Sequence, residues 1–208
     1  MRWSCIGNMQ IKVIRSGSKE NCTFIQTETT SILIDIGCNF LTLKTVLERE
    51  NIDINKIDSV LITHIHSDHT RGLKTLLHQL PMKVVIPEKM TRELSRLIDP
   101  KYFEIVEEKF TIGDLAIEWI PTSHDTEASV GYIISSKDKE LVYITDTGYI
   151  NRKYFQKLSN KDLYVIESNH DEAMLMDGPY PPYLKQRILS DEGHLSNATT
   201  ARYLSKFI

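Results

Sequence analysis

The segment Thr63-His64-Ile65-His66-Ser67-Asp68-His69 carries four side chains that can bind a metal ion. It follows residues 59–63, a β-branched apolar run that predicts a buried strand. It precedes residues 70–80, whose apolar spacing predicts a helix. The tight turn between them gathers the four side chains into one small volume at the carboxyl end of the strand. Neutral imidazoles and a carboxylate suit zinc, manganese or iron.

The order of these side chains predicts two cations. Because side chains alternate along an extended strand end, His64 and His66 point the same way, toward one ion. Asp68 and His69 lie one step into the turn and can face a second ion. The alternative is a set of polar turn residues without a metal. That alternative is disfavoured, since three half-buried imidazoles beside a carboxylate need a shared partner.

The composition is that of an ordinary globular protein. The chain has 208 residues, of which 41% are hydrophobic and 25% charged, and its formal net charge is −3. We expect one domain, residues 9–208, after a flexible extension over residues 1–8. No apolar run approaches the roughly 20 residues of a membrane helix, and the start lacks a secretory signal. A cytoplasmic location without membrane contact is therefore expected, and nothing in the sequence specifies an oligomeric state.

Short β-branched runs alternate with segments of helical periodicity. Strands are predicted over residues 11–14, 23–26, 31–35, 59–63, 83–86, 115–120, 131–135, 141–145 and 163–167. Helices are predicted over residues 40–50, 70–80, 91–98 and 198–207. Early strands follow one another with short turns, and later strands mix with helices. This pattern fits two packed sheets with helices outside, an α/β architecture.

Two further strand ends carry candidate ligands. His124 lies in the loop after residues 115–120, and Asp146 closes the strand at 141–145. Gly148 follows two residues later, and we expect it to let Asp146 approach a metal without hindrance. Taken alone, His124 is an exposed loop histidine and Asp146 a turn-forming residue. Beside the first cluster, both become candidate ligands, because a pair of metals needs more donors.

Three other residues are candidates for supporting roles. His170 follows the strand at 163–167, where the alternative is a polar turn. His194 precedes the helix at 198–207, whose first N–H groups can bind an anion, and it can protonate a leaving oxygen. The alternative there is an N-cap with an exposed histidine. Asp35 can accept imidazole N–H bonds and so support the metal ligands.

The motif His-x-His-x-Asp-His, followed by a loop His and a strand-end Asp, resembles the metallo-β-lactamase superfamily. Within it, several stretches resemble the YycJ/WalJ group of hydrolases. These stretches are Ser16–Thr23, Thr145–Tyr149, Glu167–Asp171 and Leu189–Asn197. The resemblance runs from about Met9 to the last residue. It implies a four-layer αββα sandwich that is short at its C-terminus. It also implies a phosphodiesterase, in particular a DNA exonuclease-like nuclease related to RNase Z and β-CASP enzymes, with nucleic acid or another phosphodiester as substrate.

The resemblance also implies a ligand set. The first metal is assigned to His64, His66 and His124, the second to Asp68 and His69, and Asp146 bridges them. Zinc is favoured, with manganese or iron as alternatives. The family pattern ends with a further histidine that this sequence stops short of. That departure leaves open a weak or water-completed second site and a truncated gene. Use of His170 or His194 in its place is less favoured.

The expected mechanism is attack of a metal-bridging hydroxide on phosphorus. Asp68 orients the hydroxide, His194 protonates the leaving oxygen, and His170 lies near a phosphate oxygen. Two other functions remain alternatives. One is hydrolysis of thioesters, lactones or small phosphodiesters on the same metal core. The other is a non-catalytic, metal-binding regulatory protein.

Overall fold

The computed structural model describes residues 4–208. Its first sheet has seven strands in chain order. They are β1 (Ser4–Ile6), β2 (Met9–Arg15), β3 (Cys22–Gln26), β4 (Ser31–Ile34), β5 (Ser59–Leu61), β6 (Lys83–Pro87) and β7 (Phe103–Val106). Strands β1 to β4 pair antiparallel, and β4 to β7 pair parallel. The parallel half places the carboxyl ends of β4 and β5 side by side, at the edge where the histidine motif begins.

The second sheet has five strands in the order β12-β11-β10-β9-β8. They are β8 (Lys109–Ile112), β9 (Leu115–Pro121), β10 (Val130–Ser136), β11 (Lys139–Ile144) and β12 (Leu163–Ile166). Only the β11–β12 pair is parallel within this sheet. Two hydrogen bonds join the sheets near the motif. The Val130 N–H donates to Thr63 O at 2.9 Å, and the Tyr132 hydroxyl donates to Ile62 O at 2.6 Å.

Helices cover the outer faces of both sheets. They are α1 (Phe40–Arg49), α2 (Ser67–Thr70), α3 (Leu73–Gln79), α4 (Thr91–Leu94), α5 (Phe155–Leu158), α6 (Glu172–Asp177), α7 (Pro182–Leu189) and α8 (Asn197–Phe207). Side-chain caps define three of the helix starts, because Asn39 accepts from Thr42 N–H, Asp171 from Met174 N–H and Ser196 from Thr199 N–H. Within residues 4–208, no helix is long and apolar enough to cross a membrane.

Two buried clusters define the layers. The larger one joins both sheets to α1 and α3, with Phe24, Leu43, Leu76 and Ile134 among its members. The smaller one lies between the second sheet, α5 and α8, and includes Phe207. Helices therefore flank two packed sheets. The predicted four-layer αββα sandwich is confirmed.

The nine predicted strands are present with small changes in their ends. Two predicted helices differ from the structure. The helix at 70–80 begins earlier, as α2, and is interrupted before α3. At the interruption, a Cβ on Gly72 would lie 2.0 Å from Cys38 O, so the backbones approach too closely for any side chain. The helix at 91–98 ends as α4 at Leu94.

The start of the chain departs from the expectation of a flexible extension. Ser4 pairs with Ile11 and Ile6 with Met9, so β1 forms the edge of the first sheet. Residues 4–8 therefore turn back onto the first sheet. The rest of that predicted extension, residues 1–3, lies outside the described residues.

The core packing yields a stability prediction. Leu33 is fully buried in β4, and Leu33→Ala removes its packing and leaves a cavity. We expect the free energy of unfolding to fall by about 2–5 kcal/mol. Urea denaturation measures this change. In Leu41→Ala, a side chain that is 71% exposed is removed, and the expected change is under about 0.5 kcal/mol. Equal losses in both variants would contradict the assignment of Leu33 to the core.

Candidate metal centre

Three imidazoles meet where β5 ends. Ligand atoms of His64, His66 and His124 all lie within 4.8 Å of one another. His64 and His66 flank the turn from β5 into α2, and His124 arrives on the loop after β9. The His124 Nδ1–H donates to Gly193 O at 3.2 Å, which leaves its Nε2 lone pair directed at His66, 3.2 Å from Nδ1. The structure thus brings together the three residues assigned to the first metal.

His64 has an unsatisfied ligand atom. The residue is fully buried, and its Nε2 has no hydrogen-bond partner in the described part of the chain. Thr63 Oγ1 donates to Asp35 at 2.8 Å, so it accepts from His64 Nδ1–H at 3.1 Å. The lone pair therefore resides on Nε2. Burial, followed by the nearby His69 ring, holds the pKa of His64 well below its usual range, which keeps the ring neutral. A buried, neutral imidazole with an orphaned lone pair is the donor that a divalent cation requires.

His69 is surrounded by carboxylates. Its Nδ1–H donates to Asp35 at 2.7 Å, and its Nε2 lies 3.0 Å from Asp146 and 3.4 Å from Asp68. Burial alone would lower the pKa of His69, but Asp35, Asp146 and Asp68 raise it to about 12. In the absence of a metal, these carboxylates hold a proton on the imidazole. The pocket therefore stabilises positive charge at this point.

Asp35 organises this part of the site. It is fully buried and accepts from both Thr63 N–H and Thr63 Oγ1–H at 2.8 Å, besides His69. Its backbone has a φ of 59°, a left-handed conformation that aspartate tolerates better than most residues. This conformation follows β4 directly and turns the carboxylate toward the end of β5. The expectation that Asp35 accepts an imidazole N–H matches the observed contact.

Asp146 lies between the two groups of histidines. It shares one cluster with His64 and His69 and another with His124 and His194, each within 4.8 Å. Burial raises the pKa of Asp146, but the hydrogen bond from His69 outweighs it and lowers the pKa below its usual range. The expected role of Gly148 is wrong. A Cβ there would lie 2.1 Å from Asp191 O, so this glycine permits close backbone packing rather than access to a metal.

Asn21 was not identified as a site residue from the sequence, although it lies in the Ser-Gly-Ser-x-x-Asn motif. Its Nδ2 lies 3.1 Å from Asp68 Oδ2 and 2.9 Å from His69 Nε2. Its backbone N–H donates to Asp68 O at 2.8 Å, and its carbonyl accepts from Gly37 N–H at 2.8 Å. A Cβ on Gly37 would lie 1.6 Å from Asp68 O. The chain is therefore packed without spare room behind Asp68.

Glu167 is a second residue that the sequence analysis did not single out. Its Oε1 accepts from His194 Nδ1–H at 2.6 Å, and its Oε2 accepts from Thr147 N–H and Leu195 N–H. His194 Nδ1 also lies 3.4 Å from Asp146. Burial lowers the pKa of His194, but Glu167 outweighs it and raises the pKa above its usual value. The structure thus places an imidazole that holds its proton more strongly than usual beside the ligand clusters.

His170 is not brought into any of these ligand groups. Its Nδ1 lies 3.3 Å from Asn169 Oδ1, and its Nε2 is buried without a partner among residues 4–208. Burial, followed by the nearby His194, lowers the pKa of His170. The start of α8 is also partly satisfied by the chain itself. Asn197 N–H donates to His170 O at 2.8 Å, and Thr199 N–H donates to Ser196 Oγ at 3.2 Å. The N-terminus of α8 is therefore a weaker anion site than expected.

The chain resembles known proteins in sequence. A family model described as a beta-lactamase superfamily domain matches residues 30–207. The chain is 32% identical over 205 residues to "Exodeoxyribonuclease YycJ" of Bacillus anthracis, covering 96% of this chain and 78% of the relative. It is 36% identical over 196 residues to "Exodeoxyribonuclease WalJ" of Streptococcus pneumoniae, covering 89% and 71%.

A solved structure supports the fold independently. The metallo-beta-lactamase fold protein YhfI from Bacillus subtilis superposes with a TM-score of 0.73 at 17% identity, covering 96% of this chain and 81% of that one. The resemblance stated from the motifs is thereby confirmed. The chain belongs to the metallo-β-lactamase superfamily and, within it, is a YycJ/WalJ-like protein.

Proposed function

We propose that this chain is a metal-dependent phosphodiester hydrolase that acts on DNA. The observation that carries the proposal is the His194–Glu167 pair, which holds a proton donor against Asp146 at the edge of the metal cluster. A proton donor at that place suits the departure of a sugar oxygen. The names of the two relatives, both exodeoxyribonucleases, point to the same reaction class.

The proposed ligands come from the clusters of His64, His66 and His124 and of His64, His69 and Asp146, with Asp68 added because it lies 3.4 Å from His69. His64, His66 and His124 would hold one divalent cation, His69 and Asp68 a second, and Asp146 would contact both. Zinc is favoured, because imidazole and carboxylate donors in a buried pocket suit it. Water would complete the second site, since among residues 4–208 His69 is grouped only with His64 and Asp146. Cations bound there supply Lewis acidity, which favours ionisation of water near neutral pH and offsets charge on a phosphate.

The side chains around the cluster would each have a separate role in the reaction. Asp68, held by Asn21 at 3.1 Å, would accept a hydrogen bond from the attacking water and orient it. His194 would donate its proton to the leaving oxygen, and Glu167 would fix the orientation of its ring. His170 would turn its Nε2–H, which has no hydrogen-bond partner among residues 4–208, toward a phosphate oxygen. Asp125 would help to orient the His66 ring. Its Oδ1 lies 3.4 Å from His66 Nε2, and its Oδ2 lies 2.7 Å from Arg187 Nη2.

The reaction class and the first metal can be tested together. The zinc-loaded protein should hydrolyse bis-p-nitrophenyl phosphate and DNA, and a thioester much more slowly. His66→Ala should remove most of the bound metal and all hydrolysis, because it deletes one of three clustered imidazoles. Elemental analysis and a digestion panel of single- and double-stranded DNA and RNA measure both effects.

The matched control is His78→Ala, which removes an exposed histidine of α3. It should leave metal content and rates unchanged. Faster turnover of the thioester would favour the thioesterase alternative. Absence of turnover on every substrate by the metal-loaded protein would favour a regulatory protein. Full metal content in His66→Ala would refute the ligand assignment.

Asp35 provides a test of the second metal. Asp35→Asn replaces an acceptor of three hydrogen bonds with an amide that presents a donor to His69 or Thr63. We expect zinc affinity, measured by chelator competition, to fall about 10–100-fold, because the His69 ring loses the group that fixes its orientation. Asp53→Asn is the control, since Asn caps as well as Asp at that exposed position. Equal affinities in Asp35→Asn and the parent would contradict this role.

His194 provides a test of proton donation. His194→Ala should lower kcat for cleavage of oligothymidylate, whose leaving group is a sugar oxygen, about 10²–10⁴-fold while most of the metal stays bound. The loss should be much smaller for bis-p-nitrophenyl phosphate, since p-nitrophenolate departs without a proton. An unchanged rate would exclude the acid role. Loss of metal in parallel with rate would instead make His194 a ligand.

A further inference from the structure

An open groove of about 580 Å³ lies beside the metal centre, between residues 149–155 and α8. Its walls are basic and aromatic. The side chains that define it are Tyr149, Arg152, Phe155, Arg202, Tyr203 and Lys206. None of the site residues described above lines it, so the groove is separate from the ligand clusters.

The groove is positively charged in a chain of net charge −3. Arg152, Arg202 and Lys206 are exposed, and within residues 4–208 none of them forms an ion pair. Residues 149–155 and 199–206, which form its two walls, contain no Asp or Glu. Cations without nearby carboxylates keep their charge available to an anionic ligand.

The walls are held together by their own contacts. Ile150 N–H donates to the Tyr203 hydroxyl at 3.1 Å, which joins the loop to α8. The Phe155 and Tyr203 rings meet edge to face at 5.7 Å, and Lys206 Nζ lies 5.5 Å from the Phe155 ring centre. Tyr149 is 40% exposed and offers a ring face for stacking. The groove is therefore already formed.

Its position links it to the proposed chemistry. Tyr149 is three residues from Asp146, so their Cα atoms are at most about 11 Å apart. From Thr199 to Lys206 the groove follows α8 for about 10 Å. A small diester at the metal centre cannot extend along it.

We propose that this groove binds the backbone of a single nucleic-acid strand next to the phosphate being cleaved. The inference rests on the proposed nuclease function and adds the surface that binds the strand. Evenly spaced phosphates match the row of cations, and the exposed tyrosine ring can stack on a base, which together is how proteins bind single strands without sequence preference.

The test is the double variant Arg202→Ala/Lys206→Ala in the zinc-loaded protein. The probe is fluorescein-labelled oligothymidylate of about 15 nucleotides, which spans typical site sizes of about 4–16. We expect the ratio of kcat/KM for this strand to kcat/KM for bis-p-nitrophenyl phosphate to fall at least about tenfold. The slope of log(kcat/KM) for the strand against log salt should flatten by about 1.4, since each contact contributes about 0.7.

The matched control is Lys74→Ala/Arg96→Ala, which removes the same charge from a groove on the α3 and α4 side. Its ratio and its salt slope should equal those of the parent. A double variant at Arg202 and Lys206 that behaves like this control would overturn the proposal.

Failure of the proposed nuclease function can be distinguished from failure of the groove proposal. If the parent hydrolyses neither substrate, the nuclease assignment falls, and fluorescence anisotropy of the uncut strand decides on the groove. Binding that weakens only in the Arg202→Ala/Lys206→Ala variant supports the groove. Equal binding by all three proteins rejects it.

Discussion

The metal centre depends on one buried carboxylate. Asp35 accepts hydrogen bonds from the backbone and hydroxyl of Thr63 and from His69 Nδ1, and it does so in a fully buried place. These bonds orient Thr63 so that it accepts from His64. Two imidazoles thus obtain fixed tautomers from a single side chain. A buried carboxylate without such partners would be strongly destabilising. The two bonds to Thr63 also join the chain after β4 to the chain after β5.

The sheets and the site are parts of one arrangement. Tyr132 and Val130 of the second sheet bond to the backbone of residues 62 and 63, immediately before His64. The second sheet also supplies the strand end that carries Asp146. Packing of the two sheets therefore sets the separation between donors that belong to distant parts of the chain. A cation bound by donors from both sheets would stabilise their packing, and removing it would loosen the whole interface.

Local signals in the sequence predicted much of this arrangement. The strand, turn and helix around His64 are contiguous, and long apolar runs identified the central strands. Strands β7 and β8 were missed because their side chains are partly or fully exposed and show no apolar run. Glu167 was overlooked because its partner, His194, is 27 residues away and no spacing rule connects them. Gly148 was misread because its neighbour across the gap, Asp191, belongs to a loop that only the fold brings close.

The crowding at Gly37 divides the molecule into parts that can and cannot change. No side chain can be added there without moving the Asp68 backbone, so the β2–β3 loop and the segment after β4 are locked to the cluster. Helices α6 and α7, by contrast, expose Met174 at 76% and Tyr183 at 72%. Evolution can therefore alter the exposed surface of those helices while the residues around the metal centre stay constant. Divergence within this superfamily should accumulate on those helices and spare the segments that pack around Gly37.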